Sequence, residues 1–499
     1  MKQKLLNILK CILFLGVLGV CVIAASIVLQ RKESRFKYAD FFDKAAQDQI
    51  DVLFMGSSHV INGYNPAVLF EEYGITSYNM GGHGSVMQAT YWELIEALDY
   101  CTPKYVVVDS FLMHKDYQYL DVMEENAGAA DINTSIEQLH LNMDCWPLNK
   151  LKVAAIRDLI KDPAKQMQFL FDMTVYHDRW KELNGNDYKT LTGNADRNEL
   201  FGAEMRYGVE LTPGFYPDPP NGEGLETHTV GEEYLMKIID ECQRRNIGVI
   251  VTSLPCSATT TDKRAAVSAG ITAGRYEVPF VDMMNMNIVD LYADMNDTGH
   301  LNATGSVKVT RCIGDVLAAT GEFDDHRGDP AYEDWQRKSD SFYEELGDKA
   351  CYSENLYEQL NYLSAVDEDC IVYINQDSDA FHDGEFERLL GNISGTGEFA
   401  KSENGPYIMI RDGSGGERAI YESRDEGNLS GVRTALGTLN YQPVEKMFRL
   451  LYADENPDVN YLYDDGHLEY DIQIIVYDDE TGEVKSHNYF RSYGNDYER

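Results

Sequence analysis

Positive charge is what this chain has least of: 43 Lys+Arg stand against 83 Asp+Glu in 499 residues, a formal net charge of -40 at pH 7. Phosphate binding needs a basic footprint, so nucleic acid is excluded as a partner, and the acidity indicates a soluble, self-repelling surface. Cysteine is sparse and unpatterned. The nine (Cys11, Cys21, Cys101, Cys145, Cys242, Cys256, Cys312, Cys351, Cys370) show neither CxxC nor metal-ligand spacing. Seven follow the single long apolar run, an odd number without close pairs, so buried free thiols are expected rather than a disulfide framework. No internal repeat is visible. A hydrophobic fraction of 43% excludes global disorder, and the length favours two or three domains.

The apolar run is Cys11 to Leu29, preceded by Lys2, Lys4 and Lys10 and followed by Arg31, Lys32 and Arg35. About 20 such residues can cross a bilayer. The run is longer than the ~7–15 residues of a signal-peptide core, which favours an uncleaved anchor; small Ala24 and Ala25 at its end keep a cleaved signal as the alternative. Cys21 follows Val20 rather than a small residue and does not read as a lipidation site. Basic residues flank both ends, so orientation stays open, and a large domain outside the membrane is permitted.

Beyond residues 1–37, an anchor and stalk, strand and helix signals alternate. Ile50 to Met55 reads as a buried parallel strand ending at Gly56-Ser57-Ser58, and Pro66 suits a first helical position. A short strand ends in Ser77-Tyr78-Asn79, a turn Gly81-Gly82-His83-Gly84 follows, then a helix through Trp92 and Leu98 and the strand Tyr105–Val108. From about 115 to 230 the pattern changes to a mostly helical insertion that could cap a site, with an aromatic, Pro- and Gly-rich passage at 215–220. It then resumes: a helix before Asn246, the strand Gly248–Thr252, a helix after Thr261, the strand Val278–Val281 and a helix from Ala303. The expectation is an α/β domain over 38–322 with a parallel sheet and helices on both faces. Gly321–Pro330 has linker composition, and 331–499 reads as a helical stretch followed by a β-rich module, an α+β domain. Tyr470–Phe490 is its clearest hairpin.

Two motifs carry chemistry. Ser58 closes a Gly-x-Ser turn after a strand, where glycine permits a tight turn and exposes the hydroxyl. Asp297 precedes His300 by three residues, a spacing that lets the carboxylate meet one ring nitrogen while the other faces a serine. Each has a plain structural reading, a helix-capping serine or a packed histidine. Their conjunction with the sheet pattern makes a dispersed Ser/His/Asp triad for acyl transfer or ester hydrolysis. In open parallel sheets, ligands bind at the strands' carboxyl ends, where Ser58, Gly84 and the residues after Val108 would gather. His59, His83 and His114 would fall on the same edge, as neighbours of a substrate pocket rather than metal ligands. Asp377, Asp379 and Asp383 near His382 read as a solvated acidic loop. No cofactor or metal is expected.

These blocks resemble the SGNH/GDSL hydrolase superfamily. The resemblance implies a flavodoxin-like sheet with Ser58 as nucleophile, Gly84 in Asn79-Met80-Gly81-Gly82-His83-Gly84 as oxyanion donor, and Asp297 and His300 as the remaining pair. Asn79 and His59 join the expected substrate-binding set. The run Asp-Thr-Gly-His-Leu-Asn-Ala-Thr-Gly is most similar to membrane-tethered members of the D-alanyl-lipoteichoic acid and alginate O-acetylation type. That implies an extracytoplasmic serine acyltransferase or esterase acting on a cell-surface glycan or teichoic-type polymer, with a membrane-bound O-acyltransferase as acyl source. One block departs: the family's Asn donor falls near Met113, which leaves Ser110 (or Asn62 or His114) to substitute and keeps open a non-catalytic binding or assembly protein. The run Ile-Val-Tyr-Asp-Asp-Glu-Thr-Gly-Glu-Val resembles the end of interleukin-like epithelial–mesenchymal-transition-inducer domains, appendages of surface and polysaccharide-associated proteins.

Overall fold

The computed structural model describes residues 2–31, 33–123, 127–171, 173–210, 222–395, 397, 399, 405–414, 419–424, 430–442, 447–451 and 470–499. The passage at 215–220 lies outside them. Two compact units divide the chain: Met1–Tyr207, Pro213–Leu291 and Thr298–Ser339 form the first, and Gly208–Thr212, Tyr292–Asp297 and Asp340–Arg499 the second.

The first unit begins with helices α1 (Lys2–Leu29) and α2 (Glu33–Ala46). Within α1, Gln3–Leu29 is long and apolar enough to cross a membrane, with a mean hydropathy of 2.9 over its most apolar window. Five parallel strands follow, β1 (Val52–Met55), β2 (Ser77–Asn79), β3 (Tyr105–Asp109), β4 (Gly248–Thr252) and β5 (Phe280–Val281), in the order β2-β1-β3-β4-β5. Their side chains are largely buried on both faces except at β5, as the apolar runs of β1, β3 and β4 require, and β2 buries Ser77, Tyr78 and Asn79 beside them. β5 starts two residues later than its sequence pattern suggests, because Val278 continues the turn that ends the preceding helix, donating to Ala273 O.

Helices α3 (Ser58–Gly63) and α4 (Pro66–Tyr73) connect β1 to β2, and α5 (Met87–Ala97) connects β2 to β3. Asn65 caps α4 through Oδ1 to the Ala67 amide, Pro66 takes the position where no donor is needed, and Gly74 ends it in the left-handed region. The insertion holds α6 (Ala129–Met143), α7 (Lys150–Leu159), α8 (Pro163–Leu170), α9 (Met173–Tyr176) and α10 (Gly185–Lys189), and the α/β pattern resumes with α11 (Val230–Arg244), α12 (Thr260–Arg275) and α13 (Ala303–Ala318). Chain reversal at β1 distributes the helices into two layers: α5, α11 and α12 pack together, while α13 packs on α3 and α4.

The next helix, α14 (Glu333–Tyr352), starts in the first unit and continues into the second. Its opening turns carry Trp335, fully buried and stacked 3.6 Å from the Phe201 ring, and Lys338, which bonds Asp40 at 3.2 Å. The C-terminal domain expected from 331 therefore separates at Asp340. The linker-like stretch before it is docked, with His326 Nε2 3.0 Å from Asp51 Oδ2.

The second unit contains α15 (Leu356–Ala365), β6 (Asp369–Ile374), α16 (Gly384–Ser394), β7 (Tyr407–Asp412), β8 (Ala419–Ser423), β9 (Ser430–Thr434), β10 (Gly437–Gln442), β11 (Met447–Leu451), β12 (Ile472–Tyr477), β13 (Val484–Tyr493) and β14 (Asp496–Glu498). Antiparallel pairing gives a six-stranded sheet β14-β13-β12-β6-β7-β8 and a three-stranded sheet β11-β10-β9. The expected hairpin is β12–β13, closed by Gly482 N donating to Asp478 O.

Candidate active site

The carboxyl end of β1 turns sharply at Gly56, whose φ is +150°. A Cβ there would stand 2.6 Å from Val60 Cγ2 and 3.2 Å from Asp109 Cβ, so only glycine lets β1 feed α3 this closely. Ser57 caps α3, its hydroxyl accepting from the His59 amide. The helix-capping role thus falls to Ser57, and Ser58, first in α3 and half-buried, keeps its hydroxyl for other work. Ser58 Oγ lies 2.8 Å from His300 Nε2 across 242 residues of sequence.

His300 is held from both sides of its loop. Ser257 N donates to Thr298 O at 3.0 Å, and Asn302 caps α13 by accepting from the Gly305 amide and the Thr304 hydroxyl. The Asn-Ala-Thr-Gly after His300 is thus a helix start that fixes where the ring emerges. Asp297 belongs to the second unit, where Asn296 Nδ2 donates to its Oδ2 at 3.3 Å and Asn296 Oδ1 accepts from Gly208 N. Its assignment to His300 stands on the three-residue spacing.

His59 is brought to the same place. It is buried, its ring stacks 3.6 Å from Phe111, and it meets His300 edge-on at 5.5 Å. His59 thus forms an aromatic wall with Phe111 beside the Ser58–His300 pair. His83 lies 3.8 Å from Glu204 and His114 3.6 Å from Asp262, so the three histidines have separate partners. Among the described residues, no group of three or more His, Cys, Asp or Glu is placed to hold a metal.

The glycine turn packs against the serine turn. Gly82 N donates to Gly56 O at 2.9 Å, and a Cβ on Gly81 would come within 2.9 Å of Ser57 O. Asn79 locks this junction: Nδ2 donates to Val60 O and Tyr64 O, and Oδ1 accepts from Gly81 N. Fully buried with both amide hydrogens engaged, Asn79 organises the two turns from behind instead of meeting a ligand. From the insertion, α6 reaches the same turn. Asn142 brackets His83, accepting from its amide and donating to its carbonyl, and Gln138 lies where a side chain on Gly84 would go. Gly84 has φ +54°, and neither its amide nor that of Ser58 has a hydrogen-bond acceptor among the described residues. Both are available to an anion.

After β3, Asp109 is buried and raised to about 6 by desolvation, partly offset by amides of Leu254, Phe111 and Ser110. Its Oδ1 accepts from Leu254 N at 2.9 Å and its Oδ2 from Phe111 N at 3.2 Å. It splices the β3 and β4 loops beneath the serine turn. Ser110, also buried, donates its amide to Thr252 O and lines a small cavity with Phe111, Ser253 and Asp262. Met113, at the expected Asn position, is fully buried in the hydrophobic core, so no side-chain donor arises there. Asn62 donates to Glu204 O, which occupies it as well.

Reading the sequence did not find Lys37 and Glu93. Lys37, on α2, donates to Gly81 O at 2.5 Å, and its ammonium pKa is lowered by burial. Glu93, on α5, accepts from Tyr38 Oη at 2.7 Å and is raised to about 7, burial outweighing the Lys37 charge and the Tyr38 hydroxyl. Both line a pocket with Gly81, His83 and Glu204. No local pattern marks them, since a lysine and a glutamate on amphipathic helices look like surface residues. In the second unit, Asp379 accepts from Gly494 N, while Asp383 caps α16 and accepts from the Tyr357 and Tyr497 hydroxyls, so this acidic loop ties its own unit together. Compared with protein-family models, with curated proteins and with solved structures, the chain matches none.

Proposed function

We propose that this protein is a membrane-anchored, extracytoplasmic serine acyltransferase or esterase of SGNH type, acting on O-acyl groups of a cell-surface glycan or teichoic-type polymer. The observation that carries the reading is the 2.8 Å approach of Ser58 Oγ to His300 Nε2. With Nε2 unprotonated, the hydroxyl donates to it and is activated as a nucleophile. Ser58 attacks the acyl carbonyl as His300 takes its proton, and the oxyanion is met by the Ser58 and Gly84 amides. His300 returns the proton to the departing alkoxide, leaving an acyl-serine; a polymer hydroxyl or water, deprotonated by His300, then releases the acyl group. Asp297 takes the role of orienting His300.

Two amides without a side-chain donor make a weaker oxyanion hole, since one donor is worth ~10²–10³ in rate. Slow chemistry suits a transferase supplied with an activated acyl group, for which a membrane-bound O-acyltransferase is the proposed source. Met113 in place of the donor is also the observation that favours a second reading, an SGNH-fold binding or assembly protein of a surface-polymer machinery. Labelling of the full chain with a serine-directed fluorophosphonate separates the two. Stoichiometric labelling at Ser58, lost in both Ser58→Ala and His300→Ala, is expected of the enzyme; a folded chain that takes no label supports the binding protein.

A further inference from the structure

Helix α1 divides into two lengths. From Leu5 to Ile23 its apolar side chains point outward, with Leu13 and Val20 each 67% exposed, whereas Val28 and Gln30 are buried. At ~1.5 Å per residue the apolar run Cys11–Leu29 covers roughly 28 Å, close to the ~30 Å of a bilayer's hydrocarbon core. The buried length is enclosed by the insertion. α9, α10 and the short turns His177–Lys181 and Thr190–Thr192 all pack on α1. Arg179 pegs the junction, donating to the carbonyls of Leu29 and Gln30 and pairing with buried Asp187. That satisfies the last carbonyls of α1 and ties the insertion to the point where the apolar span ends.

A segment fixed at that level faces lipid headgroups, and its surface has the chemistry of that zone. Trp180 is 64% exposed, and Tyr188, Leu191 and the neighbouring Met167 and Phe171 also stand open. Tryptophan and tyrosine concentrate at the membrane–water boundary, where an apolar ring and a polar edge are both satisfied. Residues 173–192 hold three Lys+Arg against three Asp+Glu, a charge-balanced stretch in a chain of net charge -40. Lys181 stands 5.7 Å over the Trp180 ring, and Arg31 lies two residues beyond the end of α1. Cations beside interfacial aromatics are what an anionic lipid surface selects.

We propose that residues 173–192 of the insertion form an interfacial platform embedded in the anionic phospholipid surface of the bilayer that α1 crosses, holding the parallel-sheet unit at a fixed height above the lipid. The proposal rests on the membrane-span reading of α1. Of the four tryptophans, Trp92, Trp146 and Trp335 are at least half-buried, so Trp180 is the natural reporter.

The test uses the full chain reconstituted in vesicles containing phosphatidylglycerol, with lipids brominated at shallow or at deep acyl positions. Shallow bromines are expected to quench more than half of the emission that Trp180→Phe removes, and deep bromines markedly less. Equal quenching of wild type and Trp180→Phe would overturn the platform. So would a Trp180 shielded from aqueous iodide yet insensitive to bromines, which would place another copy of the chain on this face. A Phe14→Trp, Trp180→Phe chain reports on the span itself through deep bromines. If it is quenched and Trp180 is not, the platform alone falls; if it is not, the span reading falls and takes the platform with it.

Discussion

In the parallel-sheet unit the strands end in polar residues gathered at one edge: β1 at buried Ser57 and half-buried Ser58, β3 at buried Asp109-Ser110 and β4 at buried Thr252-Ser253. The antiparallel unit also buries polar groups, and two of its aspartates close on their neighbours. Asp383 caps α16 and holds two tyrosines, and Asp412 accepts from Tyr477 and from Ala435 N. Topology explains the contrast. Parallel strands all point the same way, so their carboxyl ends collect polar turns at one edge, whereas antiparallel strands send alternate ends to opposite edges. The first arrangement concentrates polar groups for chemistry, and the second distributes them as joints.

The contrast breaks most visibly at the serine. If acyl transfer is the function, Ser58→Ala and His300→Ala should each cut turnover of an acyl ester by about 10⁴–10⁶, with the unfolding midpoint unchanged. A loss below tenfold would return Ser58 to an ordinary helix start. Gly56→Ala sharpens the same edge from the backbone side. Its Cβ meets Val60 and Asp109 at a φ that side chains avoid, so a stability loss of roughly 3 kcal/mol or more is expected in denaturant titrations, together with lost Ser58 labelling. The converse belongs to the other unit. Asp383→Ala should cost about 1–3 kcal/mol through its helix cap and tyrosine bonds while Ser58 labels at the wild-type rate.

How legible the two units were follows the same division. β1, β3 and β4 announce themselves as short apolar runs ending in glycine or polar turns, and α4 by Pro66 at its start, because burial on both faces leaves no other pattern. Ser58 and His300 were legible because a strand-to-helix turn and a helix start each leave a local signature. The roles around them were not. Asn79 looks like a ligand-binding residue in a string and proves to be a brace, since its partners Val60 and Tyr64 lie 15 to 19 residues back. Lys37 and Glu93 are charged residues on helices whose burial depends on packing across the sheet's ends, and Asp109 reads as the polar end of a strand until Leu254 is seen to bond it.

The finest probe of that buried polarity is its titration. An unfolded Glu93 titrates near 4.5, whereas the native carboxyl is raised to about 7. Between those values the native state holds a proton that the unfolded state has released, so the Glu93 contribution is complete below about 4.5 and is lost as pH rises through about 7. Asp109, raised to about 6, acts with the same sign over a lower window. A tenfold difference in proton affinity between the two states is worth ~1.4 kcal/mol. Glu93→Gln should therefore flatten the fall in stability between pH 4.5 and 7 by on the order of 1 kcal/mol for each pH step of one, read from denaturant midpoints across the range. Lys37→Met removes the cation that favours the Glu93 carboxylate, so it should push the carboxyl higher and carry the fall above pH 7. It should also slow Ser58 labelling, because Gly81 O loses its donor and the glycine turn its support. A Glu93→Gln chain with the wild-type slope would mean that this carboxyl is not held in the buried pocket beside Gly81.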